Sequence, residues 1–308
     1  MQPAAHTSAA ATLRWVVNTA DWEPGPLEFQ ACLQVLSEEE QQVVAKYVFE
    51  DDRKRALVSR LLQRACVRQV CSLANTDVQL QRTRGKKPFS TNAKPAWAPN
   101  FNFNVSHEGD YTALASEPLC ICGVDVAAPR QLRRAKHANL VEAISQFKGQ
   151  FAASEWDMIM AQAHDEPRME ACFQRLWSLK EAFVKARGDG LGFEPLSRAE
   201  FSYVGDDPDS KRAHLTLDGV PQHRWSFELQ ELAGKHWVSV ARGPPECIVD
   251  AFGVFTGTLG SRDLGDAQMQ EALLAPAPVF QLMHVRALLP PEHLSAYMGA
   301  IVSDEGVL

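Results

Sequence analysis

The segment Arg175-Leu-Trp-Ser-Leu-Lys-Glu-Ala-Phe-Val-Lys-Ala186 has the composition of a buried α-helix. Strong helix formers dominate it, neither Gly nor Pro interrupts it, and Gly188 follows as a stop signal. Its apolar side chains cover most of the helix circumference, which is typical of a helix packed inside a protein. Glu181 and Lys185 lie one turn apart on it and therefore enter or flank a core. Taken alone, they form an ordinary ion pair, worth roughly a few tenths of a kcal/mol on a surface.

Two earlier segments strengthen a functional interpretation of this charged pair. Leu119-Cys-Ile-Cys-Gly-Val-Asp-Val126 predicts a buried strand that carries Asp125 at its end. A carboxylate there is costly unless it accepts hydrogen bonds or coordinates a metal ion. Asn102-Phe-Asn-Val-Ser-His-Glu-Gly-Asp-Tyr111 predicts another strand, which runs into a polar turn at Gly109.

Together these segments resemble the 4′-phosphopantetheinyl transferase superfamily. The resemblance rests on Phe103-Asn-Val-Ser-His107, Gly123-Val-Asp-Val126 and the Trp177-to-Lys185 motif, in that order. Within the superfamily, the chain is similar to the large single-chain group, which comprises the surfactin-synthetase-activating and the eukaryotic broad-specificity enzymes. The resemblance covers about residues 12 to 243. The resemblance implies an α+β fold of two similar halves related by a pseudo-two-fold axis, with coenzyme A in the cleft between them.

We expect an N-terminal half at residues 12–126 with basic coenzyme A-binding elements, and a C-terminal half at 127–243 with the Trp177 helix. Residues 244–308 form an acidic extension to which the sequence assigns no role. Phe101 to Ala115 and Trp225 to Arg242 both show a strand–turn–strand pattern, which supports two similar halves. Helices are predicted at Asp52 to Leu73 and at Arg130 to Ala153.

Charge is distributed unevenly along the 308 residues. The net charge of −7 argues against a protein whose main role is to bind nucleic acid. From Asp51 to Lys94, however, eleven Lys and Arg residues face three Asp and Glu, whereas Pro244 to Leu308 holds two against eight. A basic early block predicts a polyanionic ligand held by the N-terminal half.

Cysteine usage and hydropathy indicate where the protein resides. Its seven cysteines are scattered without metal-binding spacing and favour a reducing compartment. No run of eighteen apolar residues occurs, so no membrane span is expected. The first residues make a poor transit peptide. We therefore expect a cytoplasmic protein, with an organelle as the alternative.

The resemblance also implies the reaction: the 4′-phosphopantetheine moiety of coenzyme A passes to a serine of an apo acyl, peptidyl or aminoacyl carrier protein. Adenosine 3′,5′-bisphosphate is the other product, as for a holo-[acyl-carrier-protein] synthase of fatty-acid, polyketide or peptide synthesis. The implied cofactor is Mg²⁺, which suits charge that builds on phosphate oxygens. Asp125 and Glu181 would hold it. Ala127 stands where surfactin-type enzymes have a Glu, and Glu108 is the candidate replacement.

Roles for the charged pair follow from the same resemblance. Either Glu181 or a metal-bound water takes the proton of the acceptor serine, and Lys185 neutralises or protonates the leaving phosphate. The sequence leaves both candidates for the base open.

The implied coenzyme A contacts come from three places in the N-terminal half. Arg55, in the first turn of the predicted Asp52-to-Leu73 helix, is the candidate there, with Arg53 as its competitor. The basic turn and the strand end supply the other candidates: Arg82, Lys86, Lys87, Pro88, Asn104, Ser106 and His107. Lys86 and Lys87 are interchangeable, because an extra Lys offsets the family's Gly-Lys-Pro element.

The resemblance also implies that the carrier protein docks just after Asp125. A basic cluster follows there, at Arg130, Arg133, Arg134 and Lys136, and either attracts an acidic carrier or forms an ordinary exposed face. A single chain with both halves of the cleft predicts a monomer. The alternative function is an inactive relative that binds coenzyme A or carrier proteins without transfer, which the missing acid at Ala127 favours and the intact Asp125, Glu181 and Lys185 oppose.

Overall fold

The computed structural model describes residues 8–130, 132 and 139–306. Up to residue 127 the elements are β1 (Arg14–Asn18), α1 (Pro26–Leu33), α2 (Glu38–Ala45), α3 (Glu50–Cys71), β2 (Leu80–Arg82), β3 (Pro88–Ser90), β4 (Asn102–Glu108), β5 (Tyr111–Glu117) and β6 (Ile121–Ala127). The later elements are α4 (Leu140–Ser145), α5 (Ala153–Met160), α6 (Glu166–Arg187), β7 (Ala199–Tyr203), β8 (Arg212–Leu217), β9 (Val220–Pro221), β10 (Ser226–Leu232), β11 (His236–Gly243), α7 (Asp266–Leu274), β12 (Gln281–Leu282), α8 (Val285–Leu288) and α9 (Pro291–Glu305).

Two sheets carry the architecture of the described residues. In the first sheet the strand order is β12-β1-β5-β4, and in the second it is β6-β11-β10-β8-β7, with β9 beside β8. Neighbouring strands are antiparallel except for β1 and β12. A separate ribbon of β2 and β3 carries the basic turn. This mixture of helices with mainly antiparallel sheets confirms the predicted α+β class, whereas the pseudo-two-fold relation between the halves stays a prediction.

Side chains join the two sheets where β4 of the first runs along β6 of the second. The Oδ1 atoms of Asn102 and Asn104 accept from the backbone N–H groups of Cys122 and Val124, both at 3.0 Å. Ser106 Oγ accepts from the next alternate amide, Val126, at 3.3 Å. These contacts repeat every second residue because successive side chains of a strand point to opposite faces. The polar face of β4 therefore replaces a backbone ladder with a seam of side chains.

The long helix α6 lies against β6, and this packing requires Gly123. A Cβ atom at Gly123 would lie 2.0 Å from the carbonyl oxygen of Ala182. Any larger residue would push the helix away from the strand. The glycine thus brings the last two turns of α6, with Glu181 and Lys185, close to Asp125 on the same strand.

Residues 244–306 cross from one core to the other. Ile248 and Phe255 are buried in the core around α6, whereas Val285, Leu288 and Tyr297 are buried in the core around α3. Between them, β12 pairs with β1 and extends the first sheet. The extension, to which no sequence motif assigned a role, packs against both cores.

The structure also corrects one predicted helix. Of the span from Arg130 to Ala153, the described residues are helical at Leu140–Ser145, followed by a short 3₁₀ turn at Lys148–Gln150. Gly149 is a weak helix former inside that turn, which is consistent with the break. Of the predicted docking cluster, Arg130 is exposed, and Arg133, Arg134 and Lys136 lie outside the described residues. The boundaries at 126 and 243 stay predictions.

The described helices do not include one that combines the length and the apolar surface needed to cross a bilayer. All seven cysteines are free thiols.

Candidate active site

Asp125, Ser106 and Lys185 form a closed triangle of polar groups at the junction of β4, β6 and α6. Lys185 Nζ lies 2.5 Å from Asp125 Oδ1 and donates to Ser106 Oγ at 2.8 Å. The Ser106 hydroxyl in turn donates to Asp125 Oδ1 at 3.0 Å. Three residues that are distant in the sequence therefore converge. Asp125 is only 6% exposed, and this burial raises the pKa of its carboxyl even though Lys185 acts in the opposite direction.

Glu181 lies one helical turn before Lys185 and senses the same carboxylate. Its pKa is raised, first by burial and then by the negative charge of Asp125, while Lys185 lowers it. Among the described residues, no hydrogen bond or ion pair engages the Glu181 side chain. Two partly desolvated carboxylates thus share one lysine, which leaves an excess of negative charge when both are ionised.

The excess negative charge bears on whether the site suits a divalent cation. Mg²⁺ in phosphate-transfer sites takes one or two protein carboxylates together with substrate oxygens and water. Asp125 and Glu181 meet that requirement, and a cation would relieve their mutual repulsion. Within residues 8–130, 132 and 139–306 no group of three or more His, Cys, Asp or Glu side chains is arranged to hold a metal ion. Metal binding by Asp125 and Glu181 therefore stays a prediction.

The third candidate ligand, Glu108, borders an open cavity in this structure. The cavity has a volume of about 800 Å³ and is also lined by Ala128, Arg130 and Gln174. Its position on β4 follows Ser106 by two residues, so it points to the same side of the strand. Its part in metal binding stays a prediction.

His107 is exposed at the edge of the triangle and faces several cations. Partial desolvation of the imidazole, followed by the charges of Lys185, Arg55 and Arg60, lowers its pKa to about 4. His107 is therefore neutral at neutral pH in this structure. The same charges create a positive field toward which a phosphate would be drawn.

Arg55 reaches this region from the first turns of α3. It donates to the carbonyl oxygen of Gly109 at 2.9 Å and pairs with Asp52 at 2.7 Å. Its competitor Arg53 is exposed. Arg55 is therefore the arginine that contacts the turn after His107, while its contact with coenzyme A stays a prediction.

The basic turn between β2 and β3 packs on the end of α6. A Cβ atom at Gly85 would lie 2.0 Å from the carbonyl oxygen of Gly188, so the two loops touch through their backbones. Lys87 is buried, and its Nζ donates to the carbonyl oxygens of Cys122 at 2.6 Å and Lys185 at 3.0 Å. Burial lowers the pKa of Lys87 to about 8.

The two lysines of this turn, interchangeable in the sequence, thus differ in the structure. Lys86 is exposed with a positive φ of 66°, and its carbonyl oxygen accepts from Arg82 at 3.0 Å. Pro88 begins β3 and is buried. Lys86 and Arg82 are free to reach a phosphate, whereas Lys87 holds the turn against β6 and α6.

Arg60 is a further cation of this region, and no sequence motif marks it. It acts electrostatically on both His107 and Arg82, and it lines an open cleft of about 580 Å³ with Arg82. It lies on α3 five residues after Arg55, and only the position of the helix beside the β2–β3 ribbon distinguishes it from the other arginines.

Lys180, the lysine within the Trp177 motif, has a structural role. It is fully buried, pairs with Glu155 at 2.7 Å and donates to the carbonyl oxygen of Leu196 at 3.1 Å. Asn104, predicted as a coenzyme contact, uses its Oδ1 atom in the seam to Val124. Within each motif, therefore, some polar side chains lie at the cleft and others stabilise the core.

Comparison with known proteins supports the arrangement. The family described as "4'-phosphopantetheinyl transferase, N-terminal" matches residues 20–119, and the "4'-phosphopantetheinyl transferase superfamily" matches residues 121–241. An L-aminoadipate-semialdehyde dehydrogenase-phosphopantetheinyl transferase of Rattus norvegicus is 35% identical over 238 residues, which cover 76% of this chain and 75% of that protein.

Two further relatives give similar values. The protein of the same name from Homo sapiens is 34% identical over 76% of this chain and 75% of its own length. A phosphopantetheinyl transferase of Thraustochytrium sp. is 35% identical over 75% of this chain and 78% of its own. The residues matched by the two family descriptions include Ser106, Asp125 and Lys185.

Proposed function

The chain belongs to the 4′-phosphopantetheinyl transferase superfamily, and we propose that it transfers the 4′-phosphopantetheine moiety of coenzyme A to a serine of apo carrier proteins. Adenosine 3′,5′-bisphosphate leaves as the second product, so the proposed activity is of the holo-[acyl-carrier-protein] synthase type. The observation that carries this proposal is the convergence of Asp125, Glu181 and Lys185 beside a row of cations. A protein that only bound coenzyme A would not need the two carboxylates and the lysine together.

Positioning of the diphosphate is the first task that the residues support. The cations Lys185, Arg55 and Arg60 act electrostatically on His107, and Arg60 and Arg82 line the same open cleft. Lys86 follows Arg82 in the basic turn, where its carbonyl oxygen accepts from Arg82. Phosphate oxygens attract such groups strongly, and arginine adds a planar fork of donors. In phosphoryl transfer, positioning and electrostatic stabilisation supply most of the catalysis.

Asp125 and Glu181 are the residues that would hold Mg²⁺ beside this diphosphate. When bound, the ion would neutralise the charge that develops on the phosphate oxygens. Glu108 is the proposed third ligand. It would need to turn from its cavity toward Asp125, and its replacement by Ala tests this through the Mg²⁺ dependence of the reaction.

The acceptor serine loses its proton as its hydroxyl oxygen forms a bond to the β-phosphorus. The bond from this phosphorus to the bridging oxygen breaks, and adenosine 3′,5′-bisphosphate leaves. Glu181 is a suitable proton acceptor, because its raised pKa and its lack of hydrogen-bond partners in the described residues leave its oxygens available. Lys185 Nζ, held by Asp125 and Ser106, can donate to the leaving phosphate.

Carrier proteins with acidic surfaces are the expected partners, with Arg130 as the described member of the predicted docking cluster. The proposed acceptors are apo acyl, peptidyl or aminoacyl carrier proteins. We further propose that the protein acts as a monomer in the cytoplasm, without a role for nucleic acid or membranes.

Intact-protein mass spectrometry of an apo acyl carrier protein tests the proposal. Incubation with coenzyme A, Mg²⁺ and the wild-type protein should add one phosphopantetheine group to the carrier. Glu181→Gln should reduce the rate by about 100-fold or more, because it removes a group that acts on the reacting atoms. Glu231→Gln, at an exposed position of β10, is the matched control and should retain the wild-type rate. An unmodified carrier with coenzyme A still bound would support the binding-only alternative.

A further inference from the structure

The turn that follows the Ser106-His107 pair is held from three directions. From α3, Arg55 donates to the carbonyl oxygen of Gly109 at 2.9 Å. From the end of β1, both the backbone amide and the hydroxyl of Thr19 donate to the carbonyl oxygen of Asp110, at 2.7 and 3.0 Å. From β11 in the other sheet, the His236 imidazole accepts from the backbone amide of Asp110 at 3.3 Å. No sequence motif marks this histidine.

The contacts of His236 define its protonation and tautomer. Because a backbone N–H can only donate, the Nε2 atom that receives it must carry a lone pair. Nδ1 lies 3.3 Å from the carbonyl oxygen of Ala233 and therefore carries the proton that it donates there. The imidazole bridges two turns, Gly109–Asp110 of the first sheet and Ala233–Gly234 of the second, with the Asp110 carboxylate 3.8 Å from the same Nε2 atom.

The space around this imidazole is closely filled. His236 is only 2% exposed and packs edge-on against the ring of Tyr111, with ring centroids 4.9 Å apart. Gly109 has a φ of +57°, and a Cβ atom there would lie 2.5 Å from His236 Nε2. The turn therefore approaches the ring as closely as a backbone can, and a movement of the ring would move the turn.

A movement of the turn would in turn reach the charged triangle. His107 and Ser106 precede Gly109 on the same strand, and Ser106 bonds both Asp125 and Lys185. His236 thus lies outside the cleft but contacts the loop whose base supplies two predicted coenzyme A contacts. A displacement of about 1 Å in such a group can lower a rate by about 100-fold.

We propose that His236 is a positioning residue for the transfer reaction: its Nε2 lone pair holds the Asp110 amide and so sets the place of Ser106 and His107 opposite Asp125 and Lys185. This inference rests on the proposed transferase function. It assigns the effect to the acceptor atom and not to the bulk of the ring.

Two substitutions separate the acceptor atom from the ring. His236→Phe keeps an aromatic ring against Tyr111 but removes the acceptor, whereas His236→Gln keeps an acceptor oxygen near the Nε2 position and loses the ring. We expect H236F to lower kcat/KM for coenzyme A by about 10- to 100-fold. H236Q should recover most of that loss. His214→Phe, at an exposed position of β8, is the control and should match the wild type.

Thermal unfolding of each variant accompanies the kinetics, so that rates refer to folded protein. Wild-type kinetics in H236F, or an H236Q variant as impaired as H236F at equal folded fraction, would overturn the proposal. A wild-type protein that transfers nothing would instead contradict the proposed function, so the two failures are distinguishable.

Nitrogen NMR of the histidine-labelled wild-type protein gives a test that depends on no variant. The His236 ring at neutral pH should show a protonated Nδ1 and an unprotonated Nε2. An Nε2-protonated tautomer or an imidazolium would contradict the proposal, because neither could accept from the Asp110 amide.

Discussion

At the scale of single residues, the chemistry of the cleft comes from groups whose protonation the fold has shifted. Burial raises the pKa values of Asp125 and Glu181, and the two carboxylates oppose each other's ionisation. A bound cation, including one that accompanies the phosphates, would instead favour the ionised form of both carboxylates. The site therefore carries a cost in the free protein that ligand binding relieves, a pattern found at many functional sites.

His107 gives a direct measurement of this electrostatic balance. Its side-chain titration, followed by NMR, should have a midpoint at about 4 in the free protein, because the crowded site and its cations disfavour a second positive charge. Coenzyme A should raise the midpoint, since its phosphates attract the imidazolium. Exposed His214 should show no change on addition of coenzyme A and is the control. An unchanged His107 midpoint at saturating coenzyme A would place the phosphates elsewhere.

The lowered pKa of His107 also predicts how the free energy of unfolding changes with pH. The unfolded chain takes up a proton at His107 near the ordinary value of 6.5, whereas the folded protein does so only at about 4. Protonation therefore favours the unfolded state, and this group should reduce the free energy of unfolding progressively as the pH falls from about 6.5 to about 4.

At the scale of elements, the seam between β4 and β6 explains why Asn102, Asn104 and Ser106 alternate along one strand. Their side-chain oxygens accept the amide protons of β6 that lack a partner strand on that side. Ser106 at the end of the seam also enters the charged triangle. The seam thus aligns the two sheets and places one member of the site.

Replacing Asn104 by Leu measures the strength of the seam. The variant leaves the buried amide of Val124 without its acceptor, so the free energy of unfolding should fall by about 1–3 kcal/mol. Chemical denaturation provides the value. Ser202→Leu, at an exposed position of β7, is the matched control and should stay within about 0.5 kcal/mol of the wild type. A stability loss no larger than that of the control would mean that water replaces the lost bond.

The sequence predicted the elements that carry clear signals. The α6 motif, the β4 and β6 strands and the β10–β11 hairpin all appear, because their apolar periodicity and turn residues act locally. The prediction of one helix from Arg130 to Ala153 was wrong. The apolar residues that suggested a long helix lie instead on shorter helical segments. The seam could not be predicted, because an Asn side chain that accepts from another strand leaves no local pattern.

Similar limits apply to the site. Asp125, Ser106 and Lys185 were identified through motifs and meet in space. Lys87 could not be separated from Lys86 without the approach of Gly85 to Gly188, which is a contact between distant loops. His236 lacks any motif, and only its contact with Asp110 reveals it.

At the scale of the whole molecule, the two cores are held around the cleft by buried charges and by residues 244–306. Glu117 forms ion pairs with Arg14 of β1 at 2.5 Å and with Arg242 of β11 at 3.1 Å. Arg242 also donates to the carbonyl oxygen of Ala272 in the extension at 2.6 Å. Asp304, near the far end of the extension, accepts from the backbone amide of Glu28 at the start of α1 at 2.9 Å. These connections join the first sheet, the second sheet and the extension, whereas the packing of α6 on Gly123 brings Glu181 close to Asp125.

Isothermal calorimetry of coenzyme A binding, with and without Mg²⁺, tests that shared cation most directly. In the wild-type protein, Mg²⁺ should tighten coenzyme A binding by at least about ten-fold, because two carboxylates and the diphosphate would then hold one ion. Asp125→Asn and Glu181→Gln should each abolish this gain, while E231Q keeps it. Equal affinity in the presence and absence of Mg²⁺ for the wild type, or an undiminished gain in both carboxylate variants, would contradict the account.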